Sequence, residues 1–462
     1  MRLYEIVILA LLLPPLLWAL FSRQRPNWLA IFPVAGALFT ILHLFVEGYR
    51  WQMVPADALT VLFLILATRW VGNASKGPRF SWLLALLGLL IWLIAIALPV
   101  AMPVPQLPDP TGPYAIGTFT TYLVDESRPE IYTEDPNDNR EVMVQVWYPA
   151  ADRKGEPAKY LEDLDVAGPV IAEQFGLPTF LLSHVNLTEL DVWKNAPAAS
   201  DGAPFPVIIF SHGLTGIRMQ NTVMVRELVS HGYIVGAVDH TYGNALSVFP
   251  DGRIFIYDPA RLFTNGRSNP AEANPLVRQW ADDMAFLLDT MTGWNADEGN
   301  VLNGRFDLNH VGIFGHSTGG GATIQFCLQD ERCQAGVGLD SWVLPVGNTV
   351  LEQGLDQPFM FISSPQWLGN ENKTRGEAIF NSLTQDGYEL TLANTAHYDF
   401  TDLALLSPLT SQLGLSGTIN SRYSLEIQNE YLLAFFNRYL KGEDEPLLTA
   451  PSPYPELTIE HD

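Results

Sequence analysis

The chain has 462 residues and carries 50 Asp and Glu against 26 Lys and Arg, a net charge of −24. Its length allows two to three domains, and so acidic a chain is repelled by nucleic acid, which removes nucleic acid as a partner. The charge is unevenly spread: the first hundred residues hold seven basic and three acidic side chains, and the remainder 19 and 47.

Four apolar segments fill that first part, roughly Tyr4–Phe21, Trp28–Val46, Met53–Val71 and Ser81–Met102. Three are long enough to cross a bilayer as helices. The third has Asp57 near its start and a shorter apolar core, and is the weakest. No small-x-small cleavage pattern follows Trp18–Phe21, so the first segment reads as a retained anchor rather than a signal peptide. Arg23 and Arg25 follow segment one, and Arg69, Lys76 and Arg79 follow segment three; the opposite side has only Arg2 and Arg50. If all four span, the positive-inside rule puts both ends of the region outside the cytoplasm. The expectation is a multi-pass membrane protein, in contact with membrane lipid, whose following domain is periplasmic or extracellular. His43, inside a span, reads as a packed or interfacial histidine rather than a proton relay.

The stretch Pro99–Pro113 is rich in proline and suits a semi-rigid spacer. The expected organisation is therefore a transmembrane region 1–102, a linker 103–113, a globular domain 114–445 and a tail 446–462. Early in the globular part, Glu134–Asp138 is acidic but lacks EF-hand spacing and reads as a solvated turn. Glu141–Tyr148 alternates like a strand. The apolar patch Phe175–Leu182 is either core or a hydrophobic rim over a pocket, with Phe180 as its candidate pocket residue.

Phe205–Phe210 is a continuous apolar run, as expected for a strand buried on both faces. It opens into Ser211-His212-Gly213-Leu214-Thr215-Gly216, a glycine-bearing loop where an oxyanion hole belongs. A helix (Val223–Ser230), a strand (Tyr233–Val238), a hairpin turn at Pro250-Asp251-Gly252 and a helix (Pro275–Met291) come next. Val311–Phe314 then breaks into Gly315-His316-Ser317-Thr318-Gly319 and a small-residue helix. Strand, tight turn and helix around G-x-S-x-G make a nucleophile elbow, in which Gly315 and Gly319 avoid collisions and Ser317 is projected above the sheet. Further strands are expected at Ala335–Leu339, Pro358–Ser363 and Tyr388–Ala393, and a closing helix at Glu426–Leu440. Strands alternating with helices imply a mostly parallel sheet covered on both faces, an α/β fold.

A serine nucleophile needs a base, and the base needs a carboxylate. Downstream of Ser317 only His397 and His461 are available, and His461 lies in the tail. For the acid, the turn after Pro358–Ser363 offers Ser364-Pro365-Gln366-Trp367 and no carboxylate, whereas Asp340 ends the preceding strand. Asp399 and Asp402 lie too near His397 and are expected to shape its loop. His212 is expected to brace the glycine-bearing loop, His316 to pack beside the elbow, and His240 either to line the pocket or to be a satisfied interior histidine. Cys327 and Cys333 fit no zinc pattern; they are either a local disulfide or two buried thiols. This chemistry calls for no metal and no cofactor, and the oligomeric state is not legible.

Phe210–Gly216 (FSHGLTG), Gly232–His240 (GYIVGAVDH), Gly315–Thr323 (GHSTGGGAT), Gly338–Pro345 (GLDSWVLP) and Ala396–Leu403 (AHYDFTDL) occur in an order that resembles the platelet-activating-factor acetylhydrolase family, the plasma and type II enzymes and their bacterial relatives. The resemblance spans roughly residues 115–445 and none of the membrane part. It implies an α/β-hydrolase fold, with Ser317 as nucleophile, His397 as base and Asp340 as its orienter. It also implies oxyanion donors in the backbone N–H groups of Leu214 and Thr318. Thr318 stands where the animal enzymes carry a bulky aromatic residue. The function expected is a membrane-anchored serine esterase acting on an ester or lipid substrate, such as short acyl groups of phospholipid-like molecules. The alternatives are a general carboxylesterase or polyester hydrolase, and a catalytically retired binding or sensor protein on the same scaffold.

Overall fold

The structure, a computed structural model, describes residues 1–71, 75–76 and 81–461. It divides into two compact units. The first comprises Met1–Gln106 with Pro178–Thr188 and Leu406–Leu409; the second comprises Leu107–Leu177, Glu189–Leu405 and Thr410–Asp462.

The first unit is built on α1 (Leu3–Phe21), α2 (Ile31–Val46), α3 (Val54–Trp70) and α4 (Ser81–Ala101). Counting the short helical turns that lead into α2 from Asn27 and into α3 from Trp51, all four, the third included, are long and apolar enough to cross a membrane. Ile8, Leu9, Leu12 and Leu16 of α1 pack with Met53, with Ala56, Leu59 and Phe63 of α3 and with Ala95 of α4. Many outward side chains, among them Leu38, Ile41, Leu84 and Leu87, are also apolar and exposed. Such a surface is costly in water and not in lipid. Polar groups gather at one end: Arg50 bonds Glu5 at 2.6 Å and Arg2 meets His43 at 3.0 Å. His43 is thus a packed, partnered histidine. Arg79, one of the loop charges used to orient the spans, and the side chain of Lys76 lie outside the described residues.

The second unit contains an eleven-stranded sheet. In chain order its strands are β1 (Ala115–Pro129), β2 (Asn139–Ala150), β3 (Glu156–Pro157), β4 (Val192–Lys194), β5 (Phe205–Ser211) and β6 (Ile234–Asp239). They continue with β7 (Phe306–His316), β8 (Ala335–Leu339), β9 (Phe359–Ser363), β10 (Gly387–Leu392) and β11 (Leu457–His461). Their spatial order is β11-β10-β9-β8-β7-β5-β6-β2-β1-β4-β3. From β6 through β10 neighbouring strands are parallel. Helices cover both faces, as a sheet buried on both sides requires: Val207, Ile208, Ile209 and Phe210 of β5 have no exposed surface. The register of the central strands aligns their ends. Ser211 pairs with Gly315, His316 with Leu339, and Leu339 with Ile362, so the carboxyl ends of four strands finish along one rim.

One expectation needs correction. The stretch 446–462 is no free tail: Leu457–His461 is the antiparallel edge strand β11 against β10. With only two apolar residues it gave no strand signal, and pairing with a buried neighbour decides its conformation. Part of the proline-rich stretch, expected to be a semi-rigid spacer, is hydrogen-bonded within the second unit. Pro108 accepts from Arg226 at 3.1 Å, Thr111 N–H donates to Glu227 at 3.0 Å, and Gly112 N–H to Ser230 at 3.0 Å. Cys327 and Cys333 form a disulfide at the end of the elbow helix.

Candidate active site

The apolar strand β7 runs straight into Ser317, whose φ of 55° and ψ of −117° lie outside the regions open to ordinary residues. The surrounding backbone holds it there: Ser317 N–H donates to Leu339 at 2.9 Å, and Ser317 C=O accepts from Trp342 at 2.9 Å. The two elbow glycines are steric necessities. A Cβ on Gly315 would stand 2.3 Å from the Gly319 oxygen, and one on Gly319 would stand 2.1 Å from the Ser211 oxygen. The helix α5 (Thr318–Gln329) starts at once, so the Thr318 N–H has no intrahelical partner and the positive end of the helix faces the serine.

Three side chains from separate strand ends meet there. His397 Nε2 is 2.9 Å from Ser317 Oγ, and His397 Nδ1 is 2.6 Å from Asp340 Oδ2. Asp340 follows β8 with φ 43° and is fully buried, while Ser317 and His397 are partly open to solvent. Its carboxylate also accepts from Ser364 N–H at 2.7 Å and from Gln366 Nε2 at 2.9 Å. Nδ1 of His397 therefore carries the proton, and Nε2 is left to accept from the serine hydroxyl.

The glycine-bearing loop after β5 lies beside the elbow, since a Cβ on Gly213 would be 3.2 Å from Ser317 Cβ. His212 Nε2 accepts the His240 backbone N–H at 3.2 Å, so its Nδ1–H donates to the Gly213 oxygen at 2.7 Å. Gly216 N–H donates to that oxygen as well, at 2.8 Å. A trans peptide points its C=O and N–H in opposite directions. Fixing the Gly213 carbonyl in this way fixes the direction of the Leu214 N–H.

Other expected residues take supporting places. His316 donates Nε2–H to the His397 carbonyl at 3.1 Å and accepts from Gln220 at 2.8 Å. Burial, and the neighbouring His397, make it far less basic than an ordinary histidine, so it stays neutral. Asp399 accepts from the Ala396 and Gly417 N–H groups, and Asp402 from Val223 N–H, so both shape the loop of His397. His240, expected either to line the pocket or to be a satisfied interior histidine, is wholly buried, stacked on Trp280 at 4.3 Å, with 2.9 Å bonds to Ser211 and to Asp283. Burial alone would raise Asp283, but Arg140, His240 and Arg128 together hold it well below the usual carboxylate range. Phe180 belongs to the helical unit, where its ring meets Trp51 edge-on at 5.1 Å. The residue that sequence reasoning passed over is Gln366, which touches both Asp340 and His397; nothing in its local pattern marks it.

Among the described residues, the group spaced like metal ligands is Glu5, His43 and Glu47 in the helical unit, and the Arg2 guanidinium is bonded among them.

The family model described as Platelet-activating factor acetylhydrolase, isoform II, matches residues 101–249 and 293–446. The platelet-activating factor acetylhydrolase of Cavia porcellus is 28% identical over 394 residues, covering 76% of this chain and 84% of its own. A probable 1-alkyl-2-acetylglycerophosphocholine esterase of Arthroderma benhamiae is 25% identical, over 79% of this chain and 97% of its own. Among solved structures, a ferulic acid esterase from Streptomyces cinnamoneus superposes with a TM-score of 0.63 at 27% identity, covering 77% of this chain and 99% of that one. The fold is that of an α/β-hydrolase and the activity that of a carboxylic ester hydrolase, and the chain belongs to the platelet-activating factor acetylhydrolase, isoform II, family.

Proposed function

We propose that Ser317 is the nucleophile, His397 the general base and Asp340 the residue that orients it. The observation that carries this is the unbroken hydrogen-bond line from Ser317 Oγ through both nitrogens of His397 to Asp340. Ser317 Oγ attacks the ester carbonyl while His397 takes its proton and then hands it to the departing alkoxide. The carbonyl oxygen becomes an oxyanion received by the N–H groups of Leu214 and Thr318, each worth about 3–4 kcal/mol of barrier. Water activated by His397 then releases the acyl group. The substrate is a phospholipid-like ester with a short acyl chain, in keeping with the acetyl esters in the names of the relatives.

The four apolar helices of residues 1–102 anchor this hydrolase in a membrane as a multi-pass protein. Residues 103–113 connect them to a catalytic domain that starts at 114 and includes the edge strand Leu457–His461, and this domain stands on the periplasmic or extracellular side. The Cys327–Cys333 disulfide supports that side, because such bonds persist in oxidising compartments.

A second reading is an esterase for aromatic or polymeric esters. Trp367 and Tyr398 flank His397 at 5.8 and 5.6 Å, and Phe175 packs on Tyr398 at 5.6 Å. Such a rim suits an aromatic acyl group, as do the names of the ferulic acid esterase and of a bis(hydroxyethyl) terephthalate hydrolase from Streptomyces coelicolor that is 23% identical. Detergent-purified full-length protein should be assayed on 2-acetyl and long-chain phospholipids, feruloyl esters and terephthalate esters. Highest kcat/KM on the 2-acetyl phospholipid supports the first reading; highest kcat/KM on the aromatic esters replaces it with the second.

A further inference from the structure

The turn after β9 supplies no acid, but it supplies an amide at the place where acid and base meet. Pro365–Trp367 is a single helical turn, and Gln366 in its middle is an exposed residue whose amide reaches Asp340 and His397. Gln366 Nε2 donates to Asp340 Oδ2 at 2.9 Å, the same oxygen that accepts His397 Nδ1–H at 2.6 Å. Gln366 Oε1 accepts the His397 backbone N–H at 3.2 Å. The opposite amide orientation would set oxygen against carboxylate and N–H against N–H, so the partners fix it. One planar group thus grips the side chain of the acid and the main chain of the base.

We infer that Gln366 is a positioning residue that sets the Asp340–His397 geometry and the charge that Asp340 presents to the imidazole. The inference rests on the proposed roles of Ser317, His397 and Asp340. The physical reason is twofold. Asp340 leaves β8 with a left-handed backbone and His397 sits in a short turn after β10, so no shared strand register ties the two together. The Gln366 bridge does. Its N–H also shares the charge of Oδ2, and each donor removed from a carboxylate leaves it a stronger acceptor for the imidazolium. The groups facing His397 are Asp340 from the end of β8, the neutral His316 and Ser317 of the elbow, Trp367 from the turn after β9, and Tyr398 and Asp399 of its own turn.

Gln366→Met keeps the length and removes both hydrogen bonds; Gln366→Glu keeps the shape and replaces the donor with a second carboxylate. Both full-length variants should be compared with the parent for kcat, KM and the pH profile of kcat/KM on a water-soluble acetyl ester, with Ser317→Ala as control. The expected result is a fall in kcat of about 10-fold for Gln366→Met with KM within about twofold. The acid limb of kcat/KM should also move up in both variants, and in Gln366→Glu by roughly one pH unit, because a nearby negative charge favours the imidazolium. An acid limb that stays where the parent has it in both variants overturns the inference, whatever happens to kcat, since a merely structural role would leave it unmoved. Activity surviving in Ser317→Ala would instead overturn the reading on which the inference rests.

Discussion

His397 and Asp340 are 57 residues apart in the chain, and their side chains meet at 2.6 Å from Nδ1 to Oδ2. The parallel register of β8, β9 and β10 sets the ends of those strands on one rim, and the Gln366 bridge ties together the two residues that lie beyond them. Asp340→Asn keeps the volume but presents the imidazole with a group that favours the wrong tautomer. The expected outcome is a folded protein whose kcat falls by about 10⁴. Steady-state kinetics with circular dichroism on the same sample check this, and a kcat within tenfold of the parent would contradict it.

Gly319→Ala should damage the fold as well as the site. Its Cβ would stand 2.1 Å from a main-chain oxygen, that of Ser211, which has no rotamer with which to escape. A cost of about 3 kcal/mol or more is expected, seen as a clear drop in melting temperature. Gly293 is the matched control: it lies in the helix Asn274–Ala296 and a Cβ there meets nothing within 4 Å. Gly293→Ala should stabilise by about 0.5–1 kcal/mol through helix propensity.

What was legible in the sequence depended on physical distinctness. The elbow could be read because a strained serine between obligatory glycines permits few other residues. β5 and β9 could be read because a strand buried on both faces must be apolar throughout. β11 was not legible, since an edge strand takes its shape from its neighbour. Gln366 was passed over because a glutamine after a strand is common, and only the folded chain shows that its amide spans Asp340 and His397. Phe180 could be read only as core or as pocket rim, because an apolar patch does not name its partner; in the folded chain its ring meets Trp51 of the helical unit.

Asp402 gives a signature in pH. Burial pushes its carboxyl up to about 7, opposed by the N–H groups of Val223 and Thr222 and by the charge of Arg226. An unfolded aspartate titrates near ~3.9. Between these values the folded chain keeps a proton that the unfolded chain has released. The stability from this group is therefore present below the unfolded value and lost as pH rises towards 7. Asp402→Asn should flatten the fall in melting temperature between about pH 4 and pH 7 and should be the more stable protein at the upper end. A slope equal to that of the parent would remove Asp402 as its source.

The disulfide Cys327–Cys333 closes a loop with a sequence separation of only 6. So small a loop limits the unfolded chain modestly, and its loss should cost about 2 kcal/mol. Melting of the protein with both cysteines replaced by alanine, beside the parent, measures this. Loss of folding altogether would show that the bond does more than restrict the unfolded chain.

Whether Ser317 is the activated nucleophile can be decided by covalent labelling with a fluorophosphonate probe, read as a mass shift on the intact protein and mapped by peptide sequencing. Rapid, single-site labelling of the parent on the peptide containing Ser317 is expected, with none in Ser317→Ala and strongly slowed labelling in His397→Ala. Labelling that persists in Ser317→Ala at the parent's rate, or that maps to another serine, would contradict the assignment.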